Sequence, residues 1–307
     1  MRQRRSVDVS PDGYFFLVGG AHHVAKLFTG ENVPTQQSID TFWENHASRK
    51  AYCQQAGIVF QYTVFPEKIV TIRESAEAML GKSVRSVYLE HYGQSDDVLY
   101  PLDRLHPKDS YPRTESHFSH SGYVEILTQI LKRIGCAYPD SLDAQMNADL
   151  HIVEEHSGDL TQMFDPKPTE SIHRLCLPKP ARIRTNGLVR GNQGIIAIAR
   201  NEKAFNQRKL LIMGDSFLYQ MTHYLTRIFS TIAFIRTPFF HREAVESFQP
   251  DIILQGCAER YLSHCRSDEE RPHFLAYPLL SGTPTNPKKG FAEAFEATFN
   301  QTKLRSP

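Results

Sequence analysis

A three-layer α/β/α sandwich around a mainly parallel sheet is what this 307-residue sequence predicts, and three observations predict it. Near-continuous runs of strand formers occupy 58–65, 209–213 and 251–255, as expected of strands covered on both faces. Segments of helical period lie between them, at about 36–56, 74–81 and 121–134 and again directly after 216. Turn residues such as Gly57, Pro66 and Gly135 punctuate the segments. Strands alternating with helices build parallel sheets, and in such sheets ligand sites lie at the carboxyl ends of strands. The ends of 58–65, 98–102, 209–213 and 251–255 are therefore expected to converge.

In chain order, Pro11-Asp12-Gly13 is a turn before an early strand ending near 18, and a polar loop with His22, His23 and Gly30 follows. The helix at 36–56 carries Ile39, Phe42, Trp43, His46 and Tyr52 at helical spacing. After the strand at 58–65 come a helix near 74–81, a strand at 84–89 and a short apolar stretch at 98–102. Val124, Leu127, Ile130, Leu131 and Ile134 give 121–134 its helical face. From about 136 to 208, prolines and glycines predict a loop-rich insertion with a few short strands. Phe217, Met221, Tyr224, Leu225, Ile228, Phe229 and Ile232 then predict one helix, before a strand at 233–236, a short helix at 241–248, the strand at 251–255 and a last helix near 290–300. The expected organisation is one domain over 1–307, with its core at about 11–263.

A net charge of +1 offers no global field for nucleic acid or an anionic membrane. No apolar run approaches the roughly 18 residues of a membrane span. Residues 14–21 are apolar, but the turn that precedes them marks a buried strand rather than a signal peptide. The five cysteines, Cys53, Cys136, Cys176, Cys257 and Cys265, form no Cys-x-x-Cys pair and favour structural thiols in a reducing compartment. The expected location is thus the cytoplasm, or the periplasm or exterior if a signal has been removed. No phosphate-binding glycine loop occurs, so no bound cofactor is expected.

Chemistry points first to Gly214-Asp215-Ser216-Phe217. A strand, a tight turn and a helix in succession place Ser216 where its hydroxyl projects and unpaired N–H groups are available to a developing oxyanion. The same residues would also serve simply as a helix cap. A serine nucleophile needs a base and an orienting acid. Glu115 and His117 supply them on one stretch, 111–122, because in an extended segment residues i and i+2 share a face; a helix N-terminus capped by Ser119 or Ser121 is the structural alternative. His22-His23, His117 with His120, and His151 with His156 lack any metal-binding motif, so no functional metal is expected.

An ordered set of markers completes the pattern: Asp12-Gly13-Tyr14-Phe15-Phe16-Leu17, Phe65-Pro66-Glu67-Lys68, Glu115-Ser116-His117-Phe118-Ser119 with Gly122, Gly158-Asp159-Leu160, Gly214-Asp215-Ser216-Phe217, and Pro250-Asp251-Ile252-Ile253 leading to Glu259-Arg260-Tyr261-Leu262. Over roughly 11–263 this set resembles the SGNH-hydrolase-like domains of alginate O-acetyltransferases and related acetylation proteins for bacterial polysaccharides. The resemblance implies a circularly permuted SGNH-hydrolase-like sheet in which acid and base precede the nucleophile. It carries the family's serine onto Ser216 and its Asp-x-His pair onto Glu115 and His117. Glutamate for aspartate is a departure: its extra methylene requires the backbone to sit further from the imidazole. Asp109 and Asp103 are the fallback acids. The asparagine block of ordinary SGNH esterases has no clear counterpart, although Asn186 and Asn192 lie upstream of the serine. Arg236 and Tyr261, at strand ends, are candidates for oxyanion or substrate contacts.

The expected activity is a serine-dependent O-acetyltransferase acting on a carbohydrate hydroxyl through an acetyl-serine. A carbohydrate acetylesterase of the same fold differs only in admitting water, and a non-catalytic polysaccharide-binding or assembly protein is the alternative from another class. The implied partners are a carbohydrate acceptor, an acetyl donor as co-substrate and a membrane or assembly protein that supplies acetyl groups.

Overall fold

The computed structural model describes residues 6–188 and 193–300. They begin with a hairpin, β1 (Val7–Val9) and β2 (Phe15–Leu17), followed by α1 (Val24–Phe28), α2 (Gln36–Gln55), β3 (Val59–Phe65), α3 (Lys68–Thr71), α4 (Arg73–Leu80) and β4 (Val98–Leu99). Next come α5 (His120–Arg133), α6 (Leu142–Asp149), an antiparallel pair β5 (Leu150–His156) and β6 (Glu170–Leu175), then β7 (Arg182–Thr185) and β8 (Ile196–Arg200). The chain continues through β9 (Asn206–Gly214), α7 (Ser216–Ile228), β10 (Phe229–Arg236), α8 (Arg242–Phe248), β11 (Ile252–Ala258), α9 (Tyr277–Ser281) and α10 (Phe291–Glu296). Among the described residues, no helix is long and apolar enough to cross a membrane.

Seven strands form the central sheet in the order β4-β3-β11-β9-β10-β8-β7. The five from β4 to β10 run parallel, β8 pairs antiparallel with β10, and β7 pairs antiparallel with β8 at the edge. The strand period of two divides the apolar run of β9 between two faces. Leu210 and Ile212 pack with Phe217, Leu218, Met221 and Leu225 of α7 and with Ile126, Leu127 and Ile130 of α5. Leu211 and Met213 pack with Ala244, Val245 and Phe248 of α8 and with Phe274 and Phe299. Helices thus cover both faces, which is why the central strands read as continuous apolar runs.

The parallel strands finish at one rim. Gly214 lies opposite Gly256 on one side and Arg236 on the other, and Ala258 lies opposite Phe65. A Cβ on Gly214 would sit 2.6 Å from the Gly256 carbonyl oxygen and 2.5 Å from Leu218 Cδ1, so the chain turns into α7 only with glycine here.

Four expectations are corrected. Residues 84–89 form no strand: the Ser86 hydroxyl accepts from Leu89 N at 3.1 Å and starts a helical turn at Tyr88–Tyr92, which buries Val87 and Tyr88. The helix after Ser216 stops at Ile228, and Phe229 and Ile232 belong to β10. They read as helical because the apolar pattern runs without a break from a buried helix into a strand buried on both faces. Within 136–208, β7 and β8 are not an excursion but the antiparallel edge of the central sheet. The core also extends beyond 263, since Phe274, Tyr277 and Phe299 are buried against the α8 face.

Candidate active site

Two kinds of structure meet at the rim. The serine side is regular. Asp215 caps α7, its Oδ1 accepting from Phe217 N at 2.9 Å, while its Oδ2 accepts from Ala258 N at 2.7 Å. One carboxylate therefore ties the helix start to the end of β11, and Ser216 follows as the first helical residue. Phe217 beneath it is fully buried and stacks on Phe65 at 5.5 Å, which locks this end of the helix to β3.

The other side is irregular chain, 111–119, held by side chains that come from elsewhere. The Tyr111 hydroxyl donates to Pro66 O at 2.6 Å, and Lys68 supports the segment from below. Glu170 of β6 accepts from Arg113 N at 2.9 Å and Thr114 N at 2.6 Å. Asp159 accepts from Ser116 N at 2.7 Å and from the Ser116 hydroxyl at 2.5 Å. Gly158 allows Asp159 to come this close, because a Cβ there would lie 2.1 Å from Thr114 O.

The two sides join at one contact: His117 Nε2 lies 2.8 Å from Ser216 Oγ. The hydrogen bond orients the ring, whose face also packs 4.9 Å from Phe217. Nδ1 then faces the acids. Glu115 Oε2 stands 3.6 Å from it and Asp159 Oδ2 3.9 Å, with the Ser116 hydroxyl at 3.5 Å. These separations exceed a tight hydrogen bond. Glu115 is the better-placed acid, with its side chain 18% exposed against 45% for Asp159, whose oxygens already serve Ser116. Burial works against a charge on Glu115, but the nearby His117 ring and the hydrogen bond from His156 outweigh it and hold the carboxyl down at about 2. His156 Nε2 lies 2.6 Å from Glu115 Oε1, and Arg174 donates to the far nitrogen of that ring at 3.3 Å.

The remaining candidates separate clearly. Asp109 pairs with His106 on the surface and Asp103 with Arg104, so neither fallback acid serves His117. Asn186 is consumed by a turn, donating to Gly194 O and accepting from Ile196 N. Asn192 lies outside the described residues. Arg236 closes β10 beside Gly214, and its charge bears on the phenols of both Tyr219 and Tyr261. Tyr261 is half-buried, with the Arg260 guanidinium 5.2 Å from its ring centre and His22 edge-on at 4.8 Å. One carboxylate oxygen each of Glu115 and Asp159 and a ring nitrogen of His117 lie within 4.8 Å of one another, a grouping common among acidic side chains that hold no ion. His120 is instead engaged with Tyr224, and His151 with Cys176. All five cysteines are free thiols.

Sequence reasoning missed His156 as a partner of Glu115, and Asp159 and Glu170 as supports of the base segment. Asp159 stands in a quoted marker, but nothing local ties it to Ser116. A cavity of about 650 Å³ adjoins the His117 ring, bounded by Tyr219, Gln220 and His223 of α7, by Arg174 of β6, and by Lys108 and Arg113. The buried hydroxyl of Tyr123, which has no hydrogen-bond partner among the described residues, also lies in its wall.

The chain matches no protein-family model and no curated protein. Among solved structures it is similar to Bacillus cereus PatB1, at a TM-score of 0.56 and 12% identity over 75% of this chain and 92% of that one. A structure of Bacillus cereus PatB1 with a sulfonyl adduct gives 0.57 and 11%, over 83% and 97%. The O-acetyltransferase domain of Pseudomonas putida AlgJ gives 0.49 and 14%, over 91% and 100%. At these identities the PatB1 likeness shows a shared α/β fold.

Proposed function

We propose that the chain is a serine-dependent O-acetyltransferase acting on a carbohydrate hydroxyl. What carries this proposal is the 2.8 Å contact between His117 Nε2 and Ser216 Oγ at the carboxyl ends of parallel strands. The family resemblance of the markers supplies the acetyl group and the sugar.

In the proposed reaction, Ser216 Oγ attacks the acetyl carbonyl as His117 Nε2 takes its proton. Glu115 holds the ring through Nδ1 and stabilises the imidazolium. The oxyanion forms at the start of α7, where Asp215 occupies the Phe217 N–H and the Ser216 N–H is the nearest donor left by the helix geometry. Arg236 is assigned to the same face, because its charge already reaches Tyr219 in the first turn of α7. As the intermediate collapses, the donor's leaving group takes the proton from His117. A sugar hydroxyl then attacks the acetyl-serine, giving its proton to His117, and Ser216 recovers a proton on release. The cavity beside His117 is the proposed seat of the acceptor.

The test is release of a chromogenic phenol from 4-nitrophenyl acetate, with and without acceptor oligosaccharides, by the protein and by Ser216→Ala. Acetylated sugar formed only with intact Ser216 is the expected result. Release into water unaffected by acceptors would make the chain an esterase, and no Ser216-dependent turnover would leave a binding protein.

A further inference from the structure

Lys68 is an ammonium in the wrong place for a surface cation. It is 3% exposed, on the four-residue turn that follows β3, and among the described residues no carboxylate forms a salt bridge with it. Its Nζ donates instead to three backbone carbonyls, Pro112 O at 2.6 Å, Arg113 O at 2.7 Å and Glu115 O at 3.0 Å. An ammonium has three N–H donors and no acceptor, so its hydrogen-bonding capacity is matched one for one. All three acceptors belong to the irregular segment that carries Glu115 and His117. The rings of Tyr14 and Phe16, 5.5 and 5.7 Å from Nζ, complete the enclosure.

Burying a cation is costly unless its hydrogen bonds are satisfied, and a hydrogen bond from a charged donor is about twice as strong as a neutral one. The segment 112–115 has no helix or strand to fix it, so its carbonyls converge only if something draws them together. Lys68 is rooted at the end of a central strand, one residue after Glu67, whose carboxylate is paired with Arg260 at 2.5 Å. Its anchor is thus the sheet that also carries Ser216.

We infer that Lys68 is a positioning residue: its three-carbonyl clasp sets the Glu115–His117 segment at the height where His117 meets Ser216. The inference rests on the Ser216–His117 proposal above. It also has a pH consequence. Desolvation lowers the Lys68 ammonium to about 7, against the charges of Glu170, Asp159 and Glu115, which favour it; Glu67 precedes it in the chain, and Arg113 carries one of the three acceptor carbonyls. As pH rises through that value the amine keeps two N–H groups for three carbonyls, and one carbonyl is released.

The experiment is the rate at which phenylmethanesulfonyl fluoride modifies Ser216, followed by mass spectrometry from pH 5 to 9 on the full chain, with melting temperatures alongside. Lys68→Met is expected to fold and to lose about 100-fold in rate, a positioning loss of the size a misplacement of about 1 Å produces. Lys68→Arg keeps charge and donors and is expected to stay within about tenfold of the native rate. The native protein should lose several-fold in rate as pH rises past about 7, and this alkaline limb should be absent in Lys68→Arg, whose guanidinium does not deprotonate. A folded Lys68→Met within threefold of native, or an alkaline limb that persists in Lys68→Arg, overturns the inference. If Lys68→Met does not fold, the limb in native protein against Lys68→Arg decides alone. Labelling unchanged in Ser216→Ala would instead remove the proposal beneath it.

Discussion

The serine and the histidine of this site are held in opposite ways. Ser216 sits between a strand and a helix whose apolar residues are almost wholly buried, and one carboxylate, Asp215, fixes the turn between them. His117 sits on irregular chain fixed by polar groups from four distant places: Lys68, Gly158 with Asp159, Glu170 and His156. Ser216 therefore adjoins the core, whereas His117 and Glu115 are suspended over it. Damage to the framework that holds the first should cost stability. Damage to the second should cost rate first.

Substitutions sharpen this contrast, and the largest effect is expected at the nucleophile. Ser216→Ala should lower acetyl release by at least about 1,000-fold, the scale of removing a serine nucleophile, with the melting temperature essentially unchanged in calorimetry. His117→Gln should match it within about tenfold, because the two act as a unit.

The acids come next. Glu115→Gln should lower kcat by about 100-fold and Asp159→Asn by under tenfold, since the shorter approach to Nδ1 belongs to Glu115. Equal losses would make Asp159 the orienting acid as much as Glu115. Glu115 is also a stability probe. Its carboxyl is lowered to about 2 in the folded protein from an ordinary 4.5, so its contribution is complete above about pH 4.5 and is lost as pH falls towards 2. Urea unfolding should show the gap between native protein and Glu115→Gln closing over that window.

Asp215→Ala tests the framework on the serine side. It orphans the Ala258 N–H and uncaps α7, so about 2–3 kcal/mol of stability should be lost in urea titration along with activity. Gly158→Ala is its counterpart on the base side, and should lower kcat by about tenfold with a smaller change in melting, because Thr114 must move away from the new Cβ. The smallest effect is expected from Arg236→Met, a loss of about threefold to tenfold in kcat with KM little changed, the share of a secondary oxyanion contact.

The same contrast explains what the sequence made legible. β3, β9, β11 and the start of α7 stand where their periodicity puts them, and Gly-Asp-Ser lies at the predicted strand end because period and turn chemistry are local. The Glu-x-His spacing likewise placed two side chains on one face. Local pattern did not reveal what holds that segment in place: Lys68 reaches carbonyls 44, 45 and 47 residues along the chain, and Asp159 reaches Ser116 from 43 residues away. β7 and β8 escaped for a related reason. They are short, flanked by proline and glycine, and join the sheet only through the long-range pairing of β8 with β10, β7 pairing in turn with β8. Val84–Leu89 misled because Ser86, a single side-chain cap, overrode β-branched propensity.

The central claim is that an acetyl group passes through Ser216, and trapping it tests that claim most directly. The protein would be mixed with 4-nitrophenyl acetate, quenched in acid before turnover is complete, digested and sequenced by tandem mass spectrometry. The account predicts an acetyl ester on Ser216 that is absent from Ser216→Ala and sharply reduced in His117→Gln, and that disappears when an acceptor sugar is added before the quench. An acetyl group found only on lysines or other serines, or equal labelling in all three proteins, would contradict it.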